Sequence, residues 1–196
     1  MEPVTKLKAL ALPIDRPNVD TDQIVPARYL QKPRSAPFGD FLFRDLRFNA
    51  DGSEKSDFIL NQPFHRDAKI VVAEENFACG SSREHAVWAL YDYGVRVVIA
   101  PSLGDIFSSN AAKNGLLTIL LPQAVVAGMI EAVTREPDLE IAVDLEAQTV
   151  SLPNGPVHRF EIDPYRKHLL LNGLDELGFT LSQIDKIEAF EKTYAG

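Results

Sequence analysis

The chain holds a single cysteine, Cys79, in 196 residues. This excludes an internal disulfide, and it excludes an iron–sulfur or zinc–thiolate centre built from this chain alone. Long apolar runs are also missing. No stretch approaches the roughly 18 residues that a membrane helix needs. The start, MEPVTKLKALALP, has neither a long apolar segment nor a small-residue cleavage site, so a cytoplasmic protein is expected. Positive charge is in deficit: 20 Lys plus Arg against 28 Asp plus Glu leave −8. That balance argues against nucleic acid or anionic lipid as a main partner. Repeats and low-complexity tracts are absent, as are GxGxxG after a strand, GxxxxGK[ST], HExxH and GxSxG. Common nucleotide binding and zinc proteolysis lose support accordingly. His65, His158 and His168 show no metal-ligand spacing.

What is present reads as a soluble globular chain, 45% hydrophobic and 24% charged, of a length suited to one domain over 1–196. AKIVVAE, from Ala68, is a short β-branched run typical of a buried strand. REHAVWALYDYG repeats its apolar residues at helical spacing and stops at Gly94. VRVVIAP is a second buried strand. SSNAAKNG predicts a short helix, LLTILLP a third strand, and AVVAGMIEAVTREP an amphipathic helix. Strand–helix alternation of this kind implies right-handed crossovers and parallel strands. LEIAVDLEAQTVSLPNGPVHRFEID then alternates apolar and polar residues about Asn154-Gly155, the pattern of a β-hairpin. From Pro164 the text predicts helices broken at Gly173 and Gly178. LKALALPI near the start suits a strand. Residues 31–61, rich in Pro, Gly, Arg and Asp, suit a mobile functional loop region.

Three stretches carry candidate chemistry. CGSSREHA, residues 79–86, lies between a predicted strand and a predicted helix. Unpaired N–H groups at a helix start attract anions, Gly80 allows close approach, and Arg83 offers a fork suited to a carboxylate. Ser81 and Ser82 supply hydroxyls. The same residues also suit an ordinary helix cap. NVDTDQIVPARY places Asp20, Thr21 and Asp22 in a polar loop, open either to binding or to local turn bonds. PSLGDIFSSNAAKNG offers Asp105, Ser108, Ser109 and Asn110 as cap-type residues but no arginine.

Taken together, NVDTDQIVPARYL, NFACGSSREHAVWAL, GVRVVIAPSLGDIFSSNAAKNGLL and GLDELGFTL resemble the 3-isopropylmalate dehydratase small-subunit family, counterpart of the swivelling domain of aconitase-type hydro-lyases. The resemblance covers nearly the whole chain. It implies an α/β fold, a three-layer β/β/α swivelling domain. It implies dehydration and rehydration interconverting 2- and 3-isopropylmalate in leucine biosynthesis, active only with a large subunit in a heterodimer or heterotetramer. That partner would hold a [4Fe-4S] cluster acting as Lewis acid, with no cofactor or metal ligand on this chain. Ser81 maps onto the family's catalytic base, and Ser82 and Arg83 onto substrate-binding positions. Arg34 falls where related sequences carry a substrate arginine, although the local text RSAPFGD departs from the family pattern. Asp20, Thr21 and Asp22 match a loop at the site or the subunit interface. Residues 31–61 would carry substrate recognition. Two alternatives stay open: a related hydro-lyase of the homoaconitase or citramalate type, and a non-catalytic module that binds small dicarboxylates.

Overall fold

The computed structural model describes residues 1–194. Its frame is a seven-stranded mixed sheet built on one long strand, β1 (Lys6–Ile14). The two halves of β1 have different partners. Ala11 to Ile14 pair in parallel with β2 (Ile70–Ala73). Lys6 to Leu10 pair antiparallel with a later strand, β5 (Glu140–Asp144). Between β1 and β2 lie two short helices, α1 (Thr21–Ile24) and α2 (Arg44–Arg47), and several single 3-10 turns. After β2 come α3 (His85–Tyr93), β3 (Val97–Ala100), α4 (Asp105–Lys113), β4 (Leu117–Leu120) and α5 (Gln123–Arg135). β5 is followed by β6 (Thr149–Ser151), β7 (Val157–Arg159) and the helices α6 (Pro164–Asn172), α7 (Glu176–Ser182) and α8 (Ile184–Tyr194). Strand order is β4-β3-β2-β1-β5-β6-β7.

The strands sort their side chains onto two cores. Val71, Ala73, Val98 and Ala100 face one core, with Ala86 and Leu90 of α3 and Phe107 and Ala111 of α4. Ile70, Val72, Val97, Ile99, Leu117 and Ile119 face the other. There they meet Val126, Met129, Ile130 and Val133 of α5, and also Ile141, Val143 and Val150 of the antiparallel wing. The period-two alternation of β2 and β3 thus feeds both faces, which is why these strands read as unbroken apolar runs. The result is a helix layer over a parallel sheet, with the antiparallel wing curling round the opposite core.

Three details depart from the sequence expectation. The segment after α5 is a three-stranded meander rather than one hairpin, because β5 turns into β6 through residues 145–148 before the Asn154-Gly155 turn leads to β7. α4 starts at Asp105, three residues before the predicted helix, on the cap residue Gly104. Gly178 lies inside α7, and the helical tail breaks at Gln183 instead. Residues 31–61 lie against α3 and the first core. Phe38, Leu42, Phe43 and Leu60 are each at most 1% exposed, and each such burial favours attachment by roughly 1.5–3 kcal/mol. None of the helices among the described residues is long and apolar enough to cross a membrane.

Candidate active site

The carboxyl ends of β1, β2 and β3 lie side by side, and the loops leaving them form one rim. Backbone hydrogen bonds tie these loops together. Cys79 N–H donates to Val19 O at 3.3 Å, and Thr21 N–H donates to Cys79 O at 3.0 Å. Phe77 N–H donates to Ser102 O at 3.2 Å, and Gly104 N–H to Phe77 O at 3.0 Å. The loops need unusual backbone here. Asn18, Asn76 and Ala78 have φ between 56° and 58°, and Gly80 has φ +91°. Left-handed backbone at non-glycine residues is uncommon and gathers at functional sites. The Asn76 side-chain amide donates to Asn18 Oδ1 at 2.7 Å across the two loops. At Gly104 a Cβ would lie 2.5 Å from Ala78 O, so only glycine allows that approach.

This framework brings most of the expected site residues together. The Ser81 hydroxyl lies 2.6 Å from the Thr21 hydroxyl, and Thr21 is 2% exposed. Arg83 backbone N–H donates to Ser81 Oγ at 3.4 Å. Ser81 Oγ therefore accepts from one amide and shares a hydroxyl–hydroxyl bond in which either oxygen can donate. The Arg83 guanidinium bonds Asp22 through one nitrogen, Nη1, which leaves its Nε and Nη2 edge for a second carboxylate. Asp20 plays a separate part: its carboxylate accepts from Gln23 N–H at 2.8 Å and caps α1. The Asp20 and Asp22 carboxylates thus have different partners, the Gln23 amide and the Arg83 guanidinium. Neither Ser81 nor Ser82 caps α3, whose first residue is His85 and whose cap position, Glu84, makes no side-chain cap bond. Residues 81–83 stay outside the helix, where Ser81 and Arg83 meet α1 instead.

Arg34 is not brought to this group. It forms a two-fold ion pair with Asp92 on the last turn of α3, at 2.7 and 2.8 Å, and its guanidinium lies 5.2 Å from the Trp88 ring. Nearby, Arg28 clasps Asp45 and so holds that carboxyl below the ordinary carboxylate range. Sequence reasoning missed a run of side-chain bonds behind the rim. Asn110 Nδ2 donates to Ser82 O at 3.4 Å. Asn114 Nδ2 donates to Glu84 Oε1 at 2.6 Å, and Trp88 Nε1 donates to Asn114 Oδ1 at 3.1 Å. The signal was available as two asparagines four apart, on one helix face. The His85 ring packs against Phe38 and Trp88, and its Nδ1 is buried without a hydrogen-bond partner.

The site is open. A cleft of about 290 Å³ lies at the end of β1 between Ile14, Val19, Phe43, Phe58 and Thr134, but Ser81 and Arg83 do not line it. Among the described residues no three His, Cys, Asp or Glu gather to hold a metal ion. Cys79, half-buried, is the chain's one thiol, and a single thiolate does not fit the ligand set of an iron–sulfur cluster.

Comparison with known proteins gives this rim a context. The family model described as Aconitase C-terminal domain matches residues 1–124, and a second, LeuD_N, matches residues 129–164. The 3-isopropylmalate dehydratase small subunit of Dinoroseobacter shibae is 48% identical over 191 residues, covering 97% of this chain and 95% of that one. That of Paramagnetospirillum magneticum is 49% identical over 193 residues, covering 98% and 96%. The crystal structure of 3-isopropylmalate dehydratase from Methanocaldococcus jannaschii superposes with a TM-score of 0.66 at 25% identity, covering 95% of this chain and 99% of that one. On this sequence and structural similarity, the chain belongs to the 3-isopropylmalate dehydratase small-subunit family of aconitase-type hydro-lyases.

Proposed function

We propose that this chain is the rim-bearing half of a hydro-lyase that interconverts 2- and 3-isopropylmalate with a large-subunit partner. The observation that carries the reading is Ser81 Oγ, set between the Thr21 hydroxyl and the Arg83 amide on an open rim. Dehydration removes a proton from a carbon beside a carboxylate. Serine is a weak base unless its oxygen carries charge, and once it does both the Arg83 amide and the Thr21 hydroxyl donate to it, which favours that charged form. Ser81 takes the proton, and Thr21 and the Arg83 N–H hold the oxygen as its charge changes. Negative charge then spreads into the substrate carboxylate. The free edge of Arg83 binds that carboxylate more strongly as charge grows, the differential binding that catalysis requires. Ser82 carries a second hydroxyl beside it.

The leaving hydroxyl needs a Lewis acid, and a [4Fe-4S] cluster on the partner supplies that chemistry when the two chains meet. With one cysteine, this chain leaves the ligation to the partner. Ser82 is exposed and Ser81 and Arg83 are partly exposed, which suits half a site that a second chain completes. The test is anaerobic turnover of 2-isopropylmalate, homoaconitate and citramalate by the chain, by its cognate large subunit and by the mixture. Activity in the mixture alone, with 2-isopropylmalate preferred, is the expected result. Preference for another acid moves the chain to a sister reaction on the same scaffold. A stable cluster-bearing complex with no turnover overturns the catalytic reading in favour of a dicarboxylate-binding module.

A further inference from the structure

We infer that Ile106 is a side chain on this subunit that lies against the branched alkyl group of the substrate. The inference rests on the proposed function and adds a residue on α4 that contributes to its specificity. It starts from the placement of α4. The first turn of this helix is pinned to the rim by the Gly104 N–H to Phe77 O bond. One turn further along, Asn110 Nδ2 reaches Ser82 O at 3.4 Å. Residues four apart on a helix share a face, and each side chain leans toward the helix start. Ile106 therefore stands on the face of α4 that borders residues 81–83, one turn nearer the open rim than Asn110.

Exposure singles this residue out. Ile106 is 50% exposed, whereas the adjacent Phe107 is 1% exposed and anchors the helix in the core. Ile106 is thus only partly packed, with half of its surface open. Its surroundings are polar: Ser82 and Asp105 are exposed, and the Asp22 side chain keeps 53% of its surface. Leu120, the other exposed apolar residue at this end of the sheet, lies on the opposite flank of α4. It shares a strand face with Thr118, whose hydroxyl meets Ser108 at 3.3 Å. Ser108 is two residues from Ile106 and so points about 200° away round the helix. Among the described residues, the remaining exposed large apolar side chains lie at Met1, Phe64, Val157 and on α6 to α8.

The chemistry follows from this placement. A 2-alkylmalate puts a carboxylate on Arg83, the carbon that loses its proton at Ser81, and a branched alkyl group against Ile106. A substrate with carboxymethyl in place of that alkyl group sets a charge against an isoleucine and leaves it without a partner, which costs affinity. An apolar wall distinguishes neighbouring alkyl groups only modestly, by about 10- to 200-fold per methylene lost or gained.

The experiment uses the assembled complex with the cognate large subunit, and compares unsubstituted chain, Ile106→Ala and Ile106→Arg. It records kcat/KM for 2-isopropylmalate, citramalate and homoaconitate, together with assembly by sedimentation. Ile106→Ala is expected to lower kcat/KM for 2-isopropylmalate by about ten- to a hundred-fold and to leave citramalate, with its single methyl, nearly unchanged. Ile106→Arg is expected to shift preference toward the acid with the extra carboxylate. An equal loss on all three acids overturns the inference. So does weakened assembly with unchanged kinetics at saturating partner, which makes Ile106 an interface residue. If the unsubstituted complex ignores 2-isopropylmalate, the proposed function itself fails, and the wall for an alkyl group falls with it.

Discussion

The Thr21 and Ser81 hydroxyls lie 2.6 Å apart although 60 positions separate them in the chain. Thr21 is buried, so its hydroxyl has no competing solvent and serves Ser81 alone. A hydrogen bond to a charged oxygen contributes roughly 1.5–3 kcal/mol. Thr21→Val, which keeps the shape and removes the donor, should lower kcat of the assembled enzyme by about ten- to a hundred-fold. KM should stay near its original value, and Thr21→Ser should restore most of the loss. Steady-state kinetics on the three proteins, with sedimentation to show equal assembly, checks this. An unchanged kcat in Thr21→Val removes Thr21 from the mechanism.

Asp22 holds Arg83 by one nitrogen and leaves the other edge free. The pair orients the arginine before substrate arrives. Asp22→Asn weakens the charge attraction, so Arg83 must be ordered by the substrate instead. KM should rise by about ten-fold, equivalent to about 1.4 kcal/mol, while kcat changes much less. A kcat loss with constant KM assigns Asp22 to the chemical step rather than to orientation.

The pairing of residues 18–22 with 77–83 shows which part of the architecture local sequence reading reaches. β2 and β3 are buried along their whole length, so their apolar runs and the intervening helix are legible from pattern alone. The GSSR text marks the candidate site for the same local reason. The bridge between Asp20 and Cys79 is a long-range contact, and periodicity carries no information about it. β6 and β7 have three residues each, and β7 has no buried position; so short a pattern cannot separate a meander from one hairpin. Ser81 and Ser82 look like caps because serine often is one. Here the bonds to α1 and α4 hold residues 81–83 outside the helix, which begins after them.

Gly104 and Gly128 make opposite predictions from the same substitution. A Cβ on Gly104 meets the Ala78 carbonyl oxygen at 2.5 Å, and backbone cannot yield cheaply. Gly104→Ala should destabilise by about 1–3 kcal/mol, lowering Tm by roughly 2–12 °C for a chain of this size. Activity should fall too, because Ala78 leads into Ser81. Gly128 lies within α5, and a Cβ added there would meet no atom within 4 Å. Gly128→Ala should stabilise by about 0.5–1 kcal/mol through the unfolded chain. Thermal unfolding of the two variants tests both, and equal shifts contradict the close approach at Gly104.

His65 is 2% exposed, and its Nδ1–H donates to Ala11 O at 3.0 Å. Burial holds its pKa below the ordinary 6.5, and the bond to Ala11 only partly opposes this. As pH falls below about 6.5, the unfolded chain takes up the proton first. The stability contributed by neutral His65 is thus present above that pH and lost as pH falls through the lower folded value. The urea midpoint of the chain should decrease on going from pH 7.5 to 5.5. His65→Gln keeps a donor for Ala11 and does not titrate, so its midpoint should vary less over that window. An equal slope in both proteins assigns the pH dependence elsewhere.

Arg34 can act on substrate directly or through the segment it anchors, and its partner Asp92 separates the two. The ion pair joins residues 31–41 to the last turn of α3, and Gly39 in the same segment sits so close that an added Cβ would lie 2.9 Å from Tyr93 N. Paired in this way, Arg34 has both ends of its fork occupied. An exposed pair contributes only up to about 1 kcal/mol to stability, so its value lies in placing the segment. Arg34→Ala and Asp92→Ala should then raise KM by similar factors, and the double variant should be no worse than either alone. Hydrogen exchange in residues 31–41 should speed up equally in both. A rise in KM for Arg34→Ala with Asp92→Ala unaffected means instead that Arg34 leaves Asp92 in the complex and binds a substrate carboxylate, because only then does losing the aspartate cost nothing.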